Sequence, residues 1–503
     1  MIPRAMRYRV LLIAFLLFLA QESFGQIPTA GGGVEEFRRI HPPYLAAAQE
    51  GNVSPGFLSP LPLSRLKREF DRKGGGDPRT RAAAFDRFEE GYLAFFGRSF
   101  DRALSAFREV GEILPTYTAA FNEGCAALAA GDRQGAKDAW KRAISLDPRG
   151  GEARYNLGLL LYPVEDPLEG TTLLKGAIER LEEPARGDAA FHLAVARSVA
   201  ARQTGSPERA RSALDALRAL LAATPQEKAP LRHALLRLHE AAALSLLFPK
   251  ASALERAEED LRIALGHFSA EAYPSYFARC HHQLGEIETL RFQQTGRVEH
   301  LEAAIEHFRR IEPLYPAERF PPFRAALAWR IGDLLLHRPP VDGEDTSPLT
   351  DALGAYEKAL SLLPEDTPPR VRAHLLFARG SVESVLATKP QPAPVSSGGC
   401  GGDDDTRARR RTERLASAID ALEAAARLLE NDPVQLAWTC RTLGASYAAI
   451  LDRGFFDRTR KRNLDAALTW YRKAHDLFEG FDAEVARRIA EEIARIEAER
   501  RSL

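Results

Sequence analysis

A chain of 503 residues with 69 basic and 69 acidic side chains has no net charge that would attract nucleic acid or an anionic membrane. Its length alone suggests about three globular domains. The four cysteines are widely spaced and form no CxxC pair, which argues against a compact disulfide framework and against a zinc site. We therefore expect no nucleic-acid partner, no metal ion and no cofactor.

The first 25 residues have the pattern of a secretory leader. Three arginines precede the unbroken apolar run 10–20, and Ser23 and Gly25 supply the small residues that a signal peptidase reads. An apolar run of this length is short of the roughly 20 residues that span a bilayer. We expect a cleaved signal peptide at 1–25, a mature chain starting at Gln26 and a periplasmic or secreted protein with no stable membrane insertion. A retained anchor is the alternative.

Residues 26–80 form a proline- and glycine-rich arm that breaks every long periodic element. Only the stretch from Pro62 to Phe70 has the spacing of a short amphipathic helix. Three interpretations of this partly ordered arm remain open: it packs on the first repeat, it lies within the groove of the repeats, or it is a flexible linker.

Three consecutive segments after the arm share small and large residues at matching offsets. Three sets of positions recur at one nearly constant interval, namely Gly91, Gly124 and Gly158, then Ala103, Ala136 and Gly170, then Phe107, Trp140 and Leu174. A glycine lets two helices approach closely, and the bulky residue of the paired helix fills the space beside it. This period and pattern resemble the tetratricopeptide repeat.

The resemblance implies an all-α fold, a right-handed α-solenoid of about nine tetratricopeptide-like helix pairs with a C-terminal capping helix. We assign three regular repeats to 81–184, six degenerate pairs to 185–480 and the capping helix to 481–503. The glycine step returns at Gly285, Gly332, Gly380 and Gly444, where the spacing is wider and uneven. The extra length falls between the two helices of a pair, including a flexible insertion at 389–406.

Prolines and cysteines have expected places in this arrangement. Pro316, Pro364 and Pro433 are predicted to close three of the later units, because proline ends a helix. Cys125, Cys280 and Cys440 fall in helices of well-separated repeats and are expected to be buried free thiols. Cys400, in the flexible insertion, is expected to be the most exposed thiol.

Carried over by register, the resemblance places the first helix of each pair on a concave, ligand-facing side. The candidate peptide-binding residues there are Phe88, Tyr92, Phe95, Phe121, Leu128, Tyr155, Leu159, His282, Trp329 and Trp438. Aromatic side chains bind extended or helical peptides well, but a stripe at helical spacing also serves as core, and both interpretations stay open. Asn122 and Asn156 suit a carboxylate clamp, yet Phe88 and Phe121 occupy positions where such a clamp needs cations or amides.

The sequence contains no catalytic or nucleotide-binding motif, and His281, His282, His300 and His307 lack the spacing of a metal site. We therefore expect no enzymatic activity. The leading hypothesis is an exported protein-protein interaction scaffold that binds a peptide or protein segment on its concave face. The alternative is an envelope protein that captures carbohydrate or another nutrient, with tryptophans stacking on a glycan.

Overall fold

The computed structural model describes residues 56–73, 77–162, 165–247, 251–340, 345–389, 402–450 and 457–503. Regular structure in these residues is helical, and none of them belongs to a β-strand. The leader 1–25, the arm before residue 56 and Cys400 lie outside the described residues. No described helix is long and apolar enough to cross a membrane.

The described chain divides into two compact units between Gln283 and Leu284, inside one long helix. The helices up to that point are α1 Leu63–Lys73, α2 Pro78–Phe96, α3 Phe100–Ile113, α4 Tyr117–Ala129, α5 Arg133–Leu146, α6 Glu152–Leu161, α7 Pro167–Ile178, α8 Ala185–Thr204, α9 Pro207–Ala223, α10 Pro230–Leu247, α11 Ala251–Leu265 and α12 Pro274–Thr295, which contains the division.

The described residues of the second unit contain the rest of α12 and eight further α-helices. These are α13 Val298–Ile311, α14 Pro321–Leu335, α15 Ser347–Ser361, α16 Pro369–Thr388, α17 Gly402–Leu428, α18 Pro433–Ala449, α19 Asp457–Glu479 and α20 Ala483–Ser502, with a single 3₁₀ turn at Glu312–Leu314 after α13. The helix α17 begins at Gly402, so residues 402–406 of the predicted insertion are helical.

Consecutive helices pack in pairs, from α2 with α3 to α18 with α19, and α20 packs on α19. The described residues therefore form nine helix pairs and a terminal helix, and the prediction of an all-α helical-repeat fold is confirmed. The short helix predicted in the arm is α1, which packs on α2 and α4. It stands before the first pair and belongs to none.

The predicted contacts between small and large residues hold the pairs together. A Cβ built at Gly91 would meet the Phe107 ring, and one built at Gly124 would overlap the Trp140 indole. The same relation joins Gly158 to Leu174, Gly285 to Phe308, Gly332 to Tyr356, Gly380 to Leu422 and Gly444 to Tyr471. The contact is kept in the later pairs although the glycine and the bulky residue are farther apart in the chain there.

Several helices begin directly after a side chain that caps their N-terminus. The side chains of Thr116, Asp132 and Asp166 accept hydrogen bonds from the first turns of α4, α5 and α7, which satisfies amides that have no partner within the helix. The prediction that Pro433 closes a unit is wrong, because Pro433 opens α18 after its capping residue Asp432. Proline suits the first helical position, where its missing N–H costs nothing.

The core of the first pairs is apolar and largely fully buried. Phe88, Phe107, Phe121 and Trp140 are 0% exposed and belong to one cluster, which also contains Leu66 of α1. Cys125, Cys280 and Cys440 are buried free thiols, as predicted. Burial raises the pKa of each of these thiols, so they remain protonated at neutral pH.

Candidate functional site

An extended stretch of the chain, residues 56–62, lies across the first helices of two neighbouring pairs, α4 and α6. We call this stretch the strip. It leads directly into α1, and it contacts first helices, which the resemblance places on the ligand-facing side. Pro60 and Pro62 favour its extended form, because a residue before proline avoids helical backbone angles.

Two asparagines on α4 and α6 hold the main chain of the strip. The Leu58 amide donates to Asn156 Oδ1 at 2.8 Å, and Asn156 Nδ2 donates to the Leu58 carbonyl at 3.1 Å. The Leu61 amide donates to Asn122 Oδ1 at 2.7 Å, and Asn122 Nδ2 donates to the Leu61 carbonyl at 2.9 Å. Each carboxamide therefore pairs with both hydrogen-bonding groups of one residue, as a neighbouring β-strand would.

The spacing of these contacts matches the spacing of the repeat. Asn122 and Asn156 are one repeat apart and occupy equivalent positions on successive first helices. Leu58 and Leu61 are three residues apart, and three extended residues span roughly 10 Å. Packed helices lie at about 8–10 Å. An extended chain that crosses the helices therefore meets one asparagine per repeat.

Two further side chains complete the surface that holds the strip. Tyr155 Oη donates to the Gly56 carbonyl at 3.2 Å, and Cys125 Sγ lies 3.5 Å from the Leu58 carbonyl. Asn156 Nδ2 also lies 3.7 Å from Cys125 Sγ. We define the strip-binding face as Asn122, Cys125, Tyr155 and Asn156. Most of its contacts reach main-chain groups, so they depend little on the side chains of the bound segment.

The helix α1 is anchored beside the strip by charges. Glu152 of α6 forms an ion pair with Arg65 and accepts a hydrogen bond from Tyr117 Oη at 2.9 Å. Glu69 accepts from Thr118 Oγ1 at 2.6 Å and from the Thr118 amide at 3.1 Å, so it also caps the first turn of α4. These contacts place a cation and a carboxylate of α1 at fixed points on α4 and α6.

The predicted site residues fall into two groups by exposure. Buried positions are Phe88, Phe121, Tyr155, Leu159, His282, Trp329 and Trp438, whereas Tyr92, Phe95 and Leu128 are half-buried. Phe88 packs edge-on against Phe107 and Trp438 edge-on against Phe478, which are contacts of a core. Tyr155 is the predicted residue whose polar atom reaches the strip. A binding role for the whole set stays a prediction.

Sequence reasoning missed Asn122 and Asn156 as main-chain ligands, although both suit a carboxylate clamp. The usable signal was the same amide residue at the same register of two successive repeats. Both side chains are 0% exposed on a helix face that is otherwise apolar. A buried amide needs partners, and the partner that the neighbouring helix α4 offers to Asn156 is the weak acceptor Cys125 Sγ, so a further segment was to be expected.

A separate group of buried charges joins α9, α10 and α11. Arg237 contacts Glu240 at 3.2 Å and Asp260 at 2.9 Å, and Arg218 contacts Glu240 at 3.0 Å. The side chains of Glu240 and Asp260 are both 1% exposed. Burial, together with the nearby Glu240 carboxylate, raises the pKa of Asp260 to about 6 in spite of the arginines. Asp260 therefore binds a proton more tightly in the folded chain than in the unfolded one.

This raised pKa predicts a pH dependence of stability. The contribution of Asp260 is fully present below its unfolded pKa near 4 and is lost as pH rises through about 6. Asp260→Asn should therefore gain stability relative to the parent chain, on the order of 2 kcal/mol, between pH 4 and pH 7. Urea unfolding across this range measures the difference. The exposed control Asp215→Asn should stay parallel to the parent, and a parallel course for Asp260→Asn would contradict the assignment.

No protein-family model matches this chain, and no curated protein matches its sequence. Among solved structures, the P58(IPK) TPR domain is 17% identical, with 83% of this chain and 98% of that chain covered and a TM-score of 0.23. The human IFIT1 dimer with PPP-AAAA is 15% identical, with 82% and 85% covered and a TM-score of 0.35. Naa15/Naa10 bound to HypK-THB is 14% identical, with 86% and 62% covered and a TM-score of 0.27.

The repeats are tetratricopeptide-like. The conclusion rests on this chain's own packing, in which the glycine of each regular first helix meets the bulky residue of the paired helix at the predicted register. The absence of a nucleic-acid partner and of enzymatic activity remain predictions from the sequence.

Proposed function

We propose that the protein is an exported, non-enzymatic interaction scaffold that binds an extended segment of a protein partner on its strip-binding face. The observation that supports the proposal most is the pair of asparagines, each of which holds an amide and a carbonyl of one strip residue. Main-chain recognition at repeat spacing suits an extended polypeptide, because every non-proline residue offers the same two groups.

Export is supported by the leader pattern of residues 1–25. N-terminal sequencing of the mature protein checks it, with Gln26 expected as the first residue. The carbohydrate alternative needs an exposed aromatic ring face. Trp329 and Trp438 are both buried, so neither indole offers such a face, and the polypeptide ligand is the better supported one.

A displayed library of random peptides, selected against the full chain, tests the proposal. Selected peptides should bind the parent and Asn431→Ala equally, since Asn431 is exposed and far from the strip in sequence. The double variant Asn122→Ala/Asn156→Ala loses four hydrogen bonds to the ligand main chain, and binding should weaken by about 2 kcal/mol or more, roughly 30-fold. Calorimetry or fluorescence anisotropy measures this.

Two outcomes would contradict the proposal. One is a selection that yields no binder, and the other is a set of binders that the double asparagine variant binds as tightly as the parent does. Thermal unfolding of the variants verifies that the helices are intact, so that a lost ligand is not mistaken for a lost fold.

A further inference from the structure

The strip and α1 are held in different ways. In α1, Leu66 is 0% exposed, Phe70 is 6% exposed, and Phe70 packs edge-on against Phe85 of α2. These side chains are part of the apolar interior and fasten α1 to the first pair. Burial of a leucine and a phenylalanine side chain is a strong stabilising contribution for a helix of this length.

The apolar contacts of the strip are less buried than those of α1: Leu58 and Leu61 pack at the edge of the core cluster, and the Phe57 ring stacks on Trp140 with 5.9 Å between the ring centroids. Gly56, Phe57, Ser59 and Pro62 are exposed, Leu58 and Leu61 are half-buried, and Pro60 is the buried strip residue. The bonds that hold the strip join its main chain to Asn122, Asn156, Tyr155 and Cys125. The net contribution of such bonds to stability is small, because the strip groups form bonds to water when they are released. Another extended chain makes the same bonds equally well.

The buried carboxamides of the strip-binding face require hydrogen-bond partners, and an extended main chain supplies them. Asn122 and Asn156 are each 0% exposed, and the bonds of their carboxamides to main-chain groups go to the strip. When the strip leaves, the Oδ1 and Nδ2 atoms of Asn122 and Asn156 lose their four hydrogen bonds to it. Because a buried polar group without a partner is unfavourable, these carboxamides favour binding of another segment. That segment must offer an N–H and a C=O at residue i and again at residue i+3.

We propose that residues 56–61 are a displaceable internal ligand, which leaves the strip-binding face when an extended segment of a partner takes its place while α1 remains docked. This inference rests on the proposed function and deepens it. The partner segment has leucine-sized, non-proline residues at positions i and i+3, because both residues must donate an amide. Of the two positions between them, the first is free to vary, because Ser59 of the strip is exposed, whereas the second takes a residue that fits the buried place of Pro60.

Covalent attachment gives the strip a high effective concentration, in the millimolar range for a short connection. A partner therefore binds more weakly to the intact chain than to a chain whose strip is released. The variant Leu58→Pro/Leu61→Pro releases the strip, since proline has no amide hydrogen and neither asparagine oxygen then has its donor. Ser59→Pro is the matched control, because it adds a proline to the strip and leaves both amides in place.

The probe is an acetylated, amidated synthetic peptide of residues 56–62 with a fluorescent label. It should bind the Leu58→Pro/Leu61→Pro chain at least tenfold more tightly than it binds the parent or Ser59→Pro. Adding Asn122→Ala and Asn156→Ala should abolish the gain. Equal affinity for released and parent chains, or failure to bind the released chain, overturns the proposal. A doubled mass of the released chain in light scattering also overturns it, since the occupant is then a second copy.

A second measurement uses the thiol beneath the strip. Cys125 is 6% exposed and contacts the Leu58 carbonyl, whereas Cys280 is 0% exposed elsewhere in the helices. Maleimide labelling, resolved by mass spectrometry, should speed up at Cys125 in the released chain and stay slow at Cys280. Unchanged labelling at Cys125 in the released chain also overturns the proposal.

The two proposals fail in different ways. In one case, library peptides bind through the asparagines but bind the parent and released chains equally. This result supports the scaffold function and overturns the proposal that the strip is an internal ligand. If neither chain yields a peptide whose binding depends on the asparagines, the scaffold function itself is overturned.

Discussion

Gly124→Ala is expected to destabilise the N-terminal unit by about 2 kcal/mol, since overpacking of a core costs about 1–3 kcal/mol. An alanine Cβ at this position would overlap the Trp140 indole, which is 0% exposed and donates from Nε1 to the Phe121 carbonyl at 3.2 Å. The ring is fully buried, so any movement of it disturbs the side chains packed around it. The better helix propensity of alanine, about 1 kcal/mol, offsets part of the cost.

The control for this substitution is Gly111→Ala. Gly111 lies inside α3, and a Cβ built there meets no atom within 4 Å. Only the propensity term remains, so this variant should be stabilised by up to about 1 kcal/mol. Urea unfolding of both variants gives opposite signs if glycine is required for packing. Equal shifts in one direction would mean that backbone flexibility, rather than the indole, decides the effect.

The repeat architecture was predictable because its contacts are local and recur. Gly91 and Phe107 lie on adjacent helices and close together in the chain, and the geometry of a helix pair brings them together wherever the pattern occurs. The relation survives between Gly380 and Leu422, which are much farther apart in the chain, although the added residues lie both in the joint and in the longer helix α17. Longer joints and longer helices hid the period in the second half, while the contact between glycine and bulky residue was kept.

The docking of the strip could not be predicted in the same way. Leu58 and Asn156 are 98 residues apart, and no periodic pattern relates an extended segment to a helix face. The sequence showed proline-rich composition, which predicts an extended chain but not its location. Asn122 and Asn156 indicated that the face was polar at two points. A clamp built on such residues binds the terminal carboxylate of another protein, whereas here the two amides bind a main chain of this protein.

The aromatic residues illustrate a limit of periodicity. Phe88, Phe121 and Tyr155 recur at the glycine-minus-three position of successive first helices, which is where a ligand-facing stripe and an inter-repeat core coincide. Periodicity gives the face of a helix but not what covers that face. Here neighbouring helices and α1 cover Phe88 and Phe121 completely, and both belong to the core cluster that includes Leu66.

Residue-resolved hydrogen exchange of the strip tests the central claim that Asn122 and Asn156 bind an extended main chain. The amides of Leu58 and Leu61 should exchange on the order of 10- to 100-fold more slowly than the amide of Ser59, which neither asparagine bonds. Asn156→Ala should remove the protection of Leu58, and Asn122→Ala that of Leu61. Exchange of all three amides at one unprotected rate in the parent chain would contradict the account.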